Sequence, residues 1–169
     1  MNCIILAAGY ATRLYPLTEN FPKPLLKIRD KSILDILIDD IEYTGDVDDI
    51  IIVSNHKFVH YFEDWLKTKI NLNCNIRILD DGSISNETRL GAVCDIELAL
   101  KFFDNPDDTL VVAGDNVLDF SLKYFTNYFK IRNATCIMRY FEPDTNKITK
   151  SACAVIDGDD LVINMIEKP

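Results

Sequence analysis

Residues 49–54 read Asp-Ile-Ile-Ile-Val-Ser, and the unbroken β-branched run Ile50, Ile51, Ile52 and Val53 leaves little choice of environment. A strand with one wet face would alternate apolar and polar residues. A continuous run belongs to a central strand covered by helices on both faces, as in parallel sheets. The segments before it agree. Asn2–Leu6 is a second short apolar run, ended by Ala7, Ala8 and Gly9, and reads as a buried strand. Between the two, Ser32 can cap a helix whose apolar positions Ile33, Leu34, Leu37, Ile38 and Ile41 share one face. Asp35 suits the first turn of that helix and Gly45 its end.

Strand and helix continue in turn. Phe58, Tyr61, Phe62, Trp65 and Leu66 mark a second amphipathic helix, residues 74–79 a third strand, and residues 90–103 a third helix. The stretch 80–89 is polar and reads as a loop, with Gly82 suiting a turn behind Asp80 and Asp81. Pro106 precedes the strand Thr109–Ala113, and Gly114, Asp115 and Asn116 sit at its carboxyl end. Residues 118–130 form a weaker helical segment, capped by Asp119, and 134–140, 151–156 and 161–166 read as strands. The last two flank Asp157-Gly158-Asp159-Asp160, a hairpin turn. This order predicts an α/β fold, a Rossmann-like open and mostly parallel sheet with helices on both faces, in a single domain over residues 1–169. In such sheets ligands bind outside the carboxyl ends of the strands.

Charge and composition remove several functions. With 18 Lys+Arg against 27 Asp+Glu the net charge is -9, a poor match for nucleic acid, which needs a concentrated positive surface. The apolar run Cys3 to Ala8 is too short to cross a membrane and no basic region precedes it, so a cytoplasmic location is expected. Cys3, Cys74, Cys94, Cys136 and Cys153 are scattered and mostly in apolar stretches, and read as buried thiols. His56 and His60 are expected on a helix, where Lys57 stands in place of the glutamate that a zincin pattern requires.

Three segments could carry chemistry. After the first strand comes Leu6-Ala7-Ala8-Gly9-Tyr10-Ala11-Thr12-Arg13-Leu14, where small side chains let backbone N–H groups approach an anion and Arg13 adds a fork of donors suited to phosphate. It is neither the dinucleotide fingerprint nor a P-loop. Pro22-Lys23-Pro24 holds a lysine in pre-set backbone, so one loop would bring two cations to the ligand edge. Gly114-Asp115-Asn116 places a carboxylate where a strand ends, suited to holding Mg²⁺ against phosphate oxygens, with the glycine leaving room for the ligand. A triphosphate fits two cations and a metal-binding carboxylate.

Together, Leu6 through Thr18 followed by Pro22-Lys23-Pro24-Leu25 resembles the signature loop of the sugar-phosphate nucleotidyltransferases, a family of NDP-sugar pyrophosphorylases and choline-phosphate cytidylyltransferases. Gly114-Asp115 is similar to the family's metal-binding pair, and Ile166-Glu167-Lys168-Pro169 to its acceptor motif. The resemblance implies the nucleotide-diphospho-sugar transferase fold and transfer of a nucleoside monophosphate from an NTP to a sugar 1-phosphate, with pyrophosphate released. Phosphocholine or another small phosphorylated acceptor is one alternative; an inactive nucleotide-binding or scaffold domain is another. By the same resemblance Leu6, Ala7, Ala8, Gly9, Thr12, Arg13, Asn86 and Gly91 would hold the nucleotide. Arg13, Lys23 and Asp115 would serve catalysis, Asp115 with Mg²⁺, and Asn116, Ala152, Glu167 and Lys168 would bind the acceptor. NTP and a phosphorylated small molecule are the implied partners, and a homo-oligomer is compatible with it.

The pattern departs from the family at three points. Asn86 stands where many relatives read the base with a glutamine, so uracil, thymine and cytosine stay open. Ala152 stands where sugar-binding relatives often have glycine. Relatives generally run well past this length, with a second metal-binding aspartate downstream, so a truncated form with an incomplete C-terminal part is expected.

Overall fold

The computed structural model describes residues 1–104 and 108–169; Pro106 falls outside them. Its frame is four parallel strands: β1 (Asn2–Leu6), then β4 (Asp49–Ser54), β5 (Asn75–Asp80) and β6 (Thr109–Ala113), with the two-residue strands β2 (Lys27–Ile28) and β3 (Lys31–Ser32) forming a separate small ribbon. The sheet order is β5-β4-β1-β6, so β1 is paired on both sides. Leu6 stands level with Val53 on one side and Ala113 on the other, which makes the three strands end together.

Burial on both faces explains the unbroken apolar runs. Cys3, Ile5, Ile50 and Ile52 face one core with Leu34, Leu37, Ile38 and Ile41 of α1 (Ile33–Thr44) and Phe62 of α2 (Val59–Lys67). Ile4, Ile51 and Val53 face the other with Ala99 of α3 (Ala92–Leu100). Helix α1 begins with a capping box: the Asp35 amide donates to Ser32 Oγ at 3.0 Å and the Ser32 amide to Asp35 Oδ2 at 2.8 Å. Gly45, at φ 71, ends it.

The chain divides into two compact units, Met1–Tyr128 and Phe129–Pro169. Helix α4 (Leu122–Arg132) is followed by a short α5 (Thr145–Ile148) and by the antiparallel pair β7 (Ala152–Ile156) and β8 (Val162–Glu167), joined by the expected turn. Among the described residues no helix is long and apolar enough to cross a membrane.

Several local expectations are corrected. Residues 134–140 form no strand: no strand among the described residues supplies a ladder, and Ile137 and Met138 lie exposed. Helix α4 starts at Leu122, whose amide donates to Asp40 Oδ2 at 2.7 Å, so a carboxylate distant in sequence caps it in place of Asp119. His56 precedes α2 and its Nδ1 lies 2.6 Å from Asp80 Oδ2. Cys3 and Cys74 are buried, whereas Cys94 is exposed and Cys136 and Cys153 are half-buried.

Gly114 serves the fold and leaves no spare room for a ligand at its own Cα. Its amide donates to the Leu6 carbonyl at 2.9 Å. A Cβ there would stand 3.0 Å from Ile5 Cγ2 and 3.2 Å from the Leu6 carbonyl oxygen. Gly114→Ala should therefore destabilise the protein by about 1–3 kcal/mol, the usual cost of overpacking against backbone. Chemical denaturation measures it, and an unchanged midpoint would contradict the close approach.

Candidate functional site

The loop after β1 is pinned from three directions. Asn55, buried behind β4, donates from Nδ2 to the Ala8 carbonyl at 2.9 Å and accepts the Phe58 amide on Oδ1 at 3.0 Å. The Tyr10 hydroxyl donates to the Ser83 carbonyl at 3.0 Å, tying the loop to the one after β5. Thr18 Oγ1 donates to the Ala11 carbonyl at 2.8 Å. Ala11 is left-handed at φ 47, a conformation costing a residue with a Cβ about 1 kcal/mol. Held this way, the amides from Ala8 to Thr12 donate to no described residue. A run of unengaged N–H groups at a strand end attracts anions.

Opposite this loop stand the lysine and the carboxylate. Pro22 is extended and Lys23 opens a single 3₁₀ turn whose Pro24 and Leu25 are buried, so the lysine's backbone is fixed. Its Nζ reaches Asp115 Oδ2 at 2.8 Å, joining residues that are 92 apart in sequence. The side chains are 29% and 44% exposed. A half-wet pair of this kind contributes about 0–1 kcal/mol, so stability does not account for it.

Both residues line a cleft of about 470 Å³ whose other walls include Leu6, Ala7, Ala8, Gly9, Arg89, Gly91, Ala92 and Asp95. The structure thus brings together Lys23, Asp115, the first-loop residues and Gly91. Within the first unit it does not bring Thr12, Arg13, Asn86 or Asn116 to this lining. Thr12 and Arg13 lie exposed on a 3₁₀ turn. Asn86 accepts a hydrogen bond from Arg89 Nη1 at 3.3 Å. Asn116 lines a second cleft of about 340 Å³ with Asp40 and Asp119. In the second unit, Ala152 and Glu167 stand opposite each other across β7 and β8, and Lys168 Nζ lies 3.4 Å from Glu167 Oε1.

Asp95 was not among the expected residues, although the sequence carries a signal for it: Asp95, Ile96 and Ala99 share one face of α3, and an acid on a buried face is out of place. It is 5% exposed and its Oδ1 is enclosed without a hydrogen-bond partner. Asp81 is also buried; its Oδ1 accepts from the Ser83 amide and hydroxyl, both at 2.7 Å, while its Oδ2 has no partner. Burial, with Asp81's like charge adding to it, pushes the Asp95 carboxyl up to about 6.

Among the described residues no three His, Cys, Asp or Glu side chains gather around a cation site. Among the described residues Asp115 is the carboxylate paired with the cleft's lysine. That fits Mg²⁺, which commonly takes one or two carboxylates and completes its shell with phosphate oxygens and water.

The raised Asp95 carboxyl predicts a signed pH effect. Its proton is held more tightly in the folded chain than at the unfolded value of 3.8, so its cost to stability is absent below pH 4, grows toward pH 6 and is complete above. Asp95→Asn should raise Tm at pH 8 by about 2–4 °C, the shift that about 1 kcal/mol gives in a chain of this size, with no gain at pH 4. Thermal unfolding at both pH values checks this; a lower Tm at pH 8 would contradict it.

The nucleotidyl transferase family matches residues 2–169. The bifunctional protein GlmU of Methanococcus maripaludis is 30% identical over 170 residues, an alignment covering 100% of this chain and 36% of that protein. The chain thus spans about a third of the length of that relative. Among solved structures, a UDP-glucose pyrophosphorylase complexed with UDP-glucose superposes with a TM-score of 0.78 at 19% identity, covering 99% of this chain and 69% of the other. HddC from Yersinia pseudotuberculosis, complexed with GMP-PN, gives a TM-score of 0.69 at 23% identity over 99% of this chain and 69% of its own. Those two likenesses bear on the fold, while the match from Asn2 to Pro169 makes this chain a member of the nucleotidyl transferase family.

Proposed function

We propose that the chain transfers a nucleoside monophosphate from an NTP to a sugar 1-phosphate and releases pyrophosphate. The observation that carries this is the pairing of Lys23 with Asp115 across a cleft whose facing loop presents unengaged amides. Cation, metal-binding carboxylate and amide donors are the complement of a triphosphate with its metal.

In this function the amides around Ala8 and Gly9 hold the phosphates, and Arg13 meets the departing pyrophosphate. Lys23 leaves Asp115 for the phosphates near the reacting centre, and Asp115 would hold Mg²⁺, which when bound would supply positive charge against the phosphate oxygens. Glu167 and Lys168 are assigned, from the family resemblance, to the acceptor's hydroxyls and phosphate. An oxygen of the acceptor phosphate attacks the α-phosphorus. The new P–O bond forms as the α–β bridging P–O bond breaks, and its electron pair leaves on pyrophosphate. The acceptor phosphate is already an anion, so no general base is required; positioning and charge neutralisation supply the rate.

Incorporation of labelled pyrophosphate into NTP, driven by NDP-sugars, tests the activity. Exchange with an NDP-sugar and none with CDP-choline is expected; exchange with neither would contradict it. Lys23→Met should lower kcat/KM by about 10²–10³, the scale for removing one preorganised donor to transition-state charge. Because the ion pair stabilises by at most about 1 kcal/mol, Tm should move by no more than about 4 °C. Arg13→Ala should cost about tenfold, in keeping with its position outside the cleft lining. Unchanged kcat/KM in both variants would remove their assignment. Asp115→Asn should abolish the Mg²⁺ dependence of NTP binding in calorimetry while leaving the chain folded, and Mg²⁺ dependence identical to wild type would overturn its role.

A further inference from the structure

The cleft lining carries two cations, Lys23 and Arg89. Lys23 already has a counter-charge in Asp115. Arg89 forms no ion pair among the described residues; its Nη1 donates to Asn86 Oδ1 at 3.3 Å, a long bond to a neutral group three residues away. Its charge reaches Glu87 only behind hydrogen bonding to Ser85 and to that residue's own backbone, which lower the Glu87 carboxyl first. An exposed arginine so placed adds little to stability. Its backbone is nevertheless fixed from both sides. Thr88 Oγ1 accepts the Ser85 amide at 3.0 Å and the Ile84 amide at 3.2 Å, closing the turn immediately before Arg89. The Ser83 carbonyl accepts the Tyr10 hydroxyl and the His56 amide, both at 3.0 Å, tying the same loop to the segments after β1 and β4. After Arg89, Gly91 at φ 89 opens α3.

Charge states what such a cation is for. The chain carries a net charge of -9, so a polyanion approaches against the long-range field and has to be met by local positive charge. A fully ionised triphosphate has roughly four negative charges. One Mg²⁺ would offset two of them, and Lys23 with Asp115 adds no net charge, so about two are left for the loop amides and Arg89. Arg13 stands outside the lining, which leaves Arg89 as the arginine within it.

Position narrows which phosphates it meets. Asp115 follows β6 and the Arg89 loop follows β5, the two strands at opposite edges of the sheet. The α-phosphate belongs with Lys23 and Asp115, so a cation across the cleft meets the phosphates beyond it. A guanidinium presents a planar fork matched to two phosphate oxygens. We infer that Arg89 binds the β- and γ-phosphates of the NTP inside the cleft, exchanging the Asn86 amide oxygen for phosphate oxygens and holding the pyrophosphate before Arg13 meets it. This rests on the nucleotidyl-transfer function proposed above.

The test is calorimetric titration of the whole chain and of Arg89→Gln at pH 8 with the Mg²⁺ complexes of ATP, GTP, CTP, UTP and dTTP. The monophosphate of the tightest binder and inorganic pyrophosphate are titrated alongside. In Arg89→Gln that triphosphate and pyrophosphate should each bind about ten- to a hundredfold more weakly, the scale of hydrogen bonds to a charged group, while monophosphate affinity changes by less than about twofold. Arg89→Lys should recover part of the loss, because the charge returns without the fork. Thermal unfolding of the same samples checks the fold, and Tm should not move, since the side chain is exposed. Unchanged triphosphate affinity, or equal losses for triphosphate and monophosphate, would overturn the role of Arg89 while leaving nucleotide binding intact. Binding of no triphosphate by wild type would remove the transferase function, and this inference with it.

Discussion

The site depends on the way β1 is paired. Hydrogen-bonded in parallel to β4 on one side and β6 on the other, with Leu6 level with both Val53 and Ala113, it forces three chain segments to leave the sheet at one edge. The loop of small residues after β1, the Asn55 anchor after β4 and Asp115 after β6 are neighbours for that reason alone. Gly114 maintains the spacing, since its missing side chain is what lets β6 close on Ile5 and the Leu6 carbonyl. A slip of one residue in either pairing would turn alternate side chains to the opposite face and move the carboxylate away from the lysine.

Stability and function can be told apart here by cost. The Ser32–Asp35 capping box and the two apolar faces of the sheet hold the fold with groups that satisfy one another. Around the cleft the balance reverses. Ala11 is left-handed, the amides from Ala8 to Thr12 donate to no described residue, the Lys23–Asp115 pair is half exposed, and the buried Asp95 Oδ1 has no donor among the described residues. Each is neutral or unfavourable to the free protein, the pattern expected of groups kept for a ligand.

Elements with strong local signals were legible in the sequence. The Ile50–Val53 run, the Ser32 cap with its one-sided apolar face, and the pair of segments flanking Asp157-Gly158 each state their structure within a few residues. Of the site, the stiff Pro22-Lys23-Pro24 turn and the strand-end Asp115 were legible, and the structure places them 2.8 Å apart. What escaped was set by distant partners. Asp40 caps α4 from 82 residues away, which moved its start past Asp119. Residues 134–140 have strand-like side chains but no strand to pair with. Gly114 looked like room for a ligand and proved to be room for β1. Asp95 was hidden because one acid among 27 acidic residues draws notice only once its face of the helix is known to be buried.

The central claim is that the unengaged amides, the Lys23–Asp115 pair and the first turn of α3 form one nucleotide site. Amide chemical shifts of ¹⁵N-labelled protein, followed as Mg²⁺ and a non-hydrolysable NTP are added, test it most directly. The account predicts that the largest changes fall at Ala8 to Thr12, at Gly91 to Asp95 and at Gly114 and Asp115 in a single saturable step. Changes centred on Leu118 to Ser121 beside the second cleft, or none at the first loop, would contradict it.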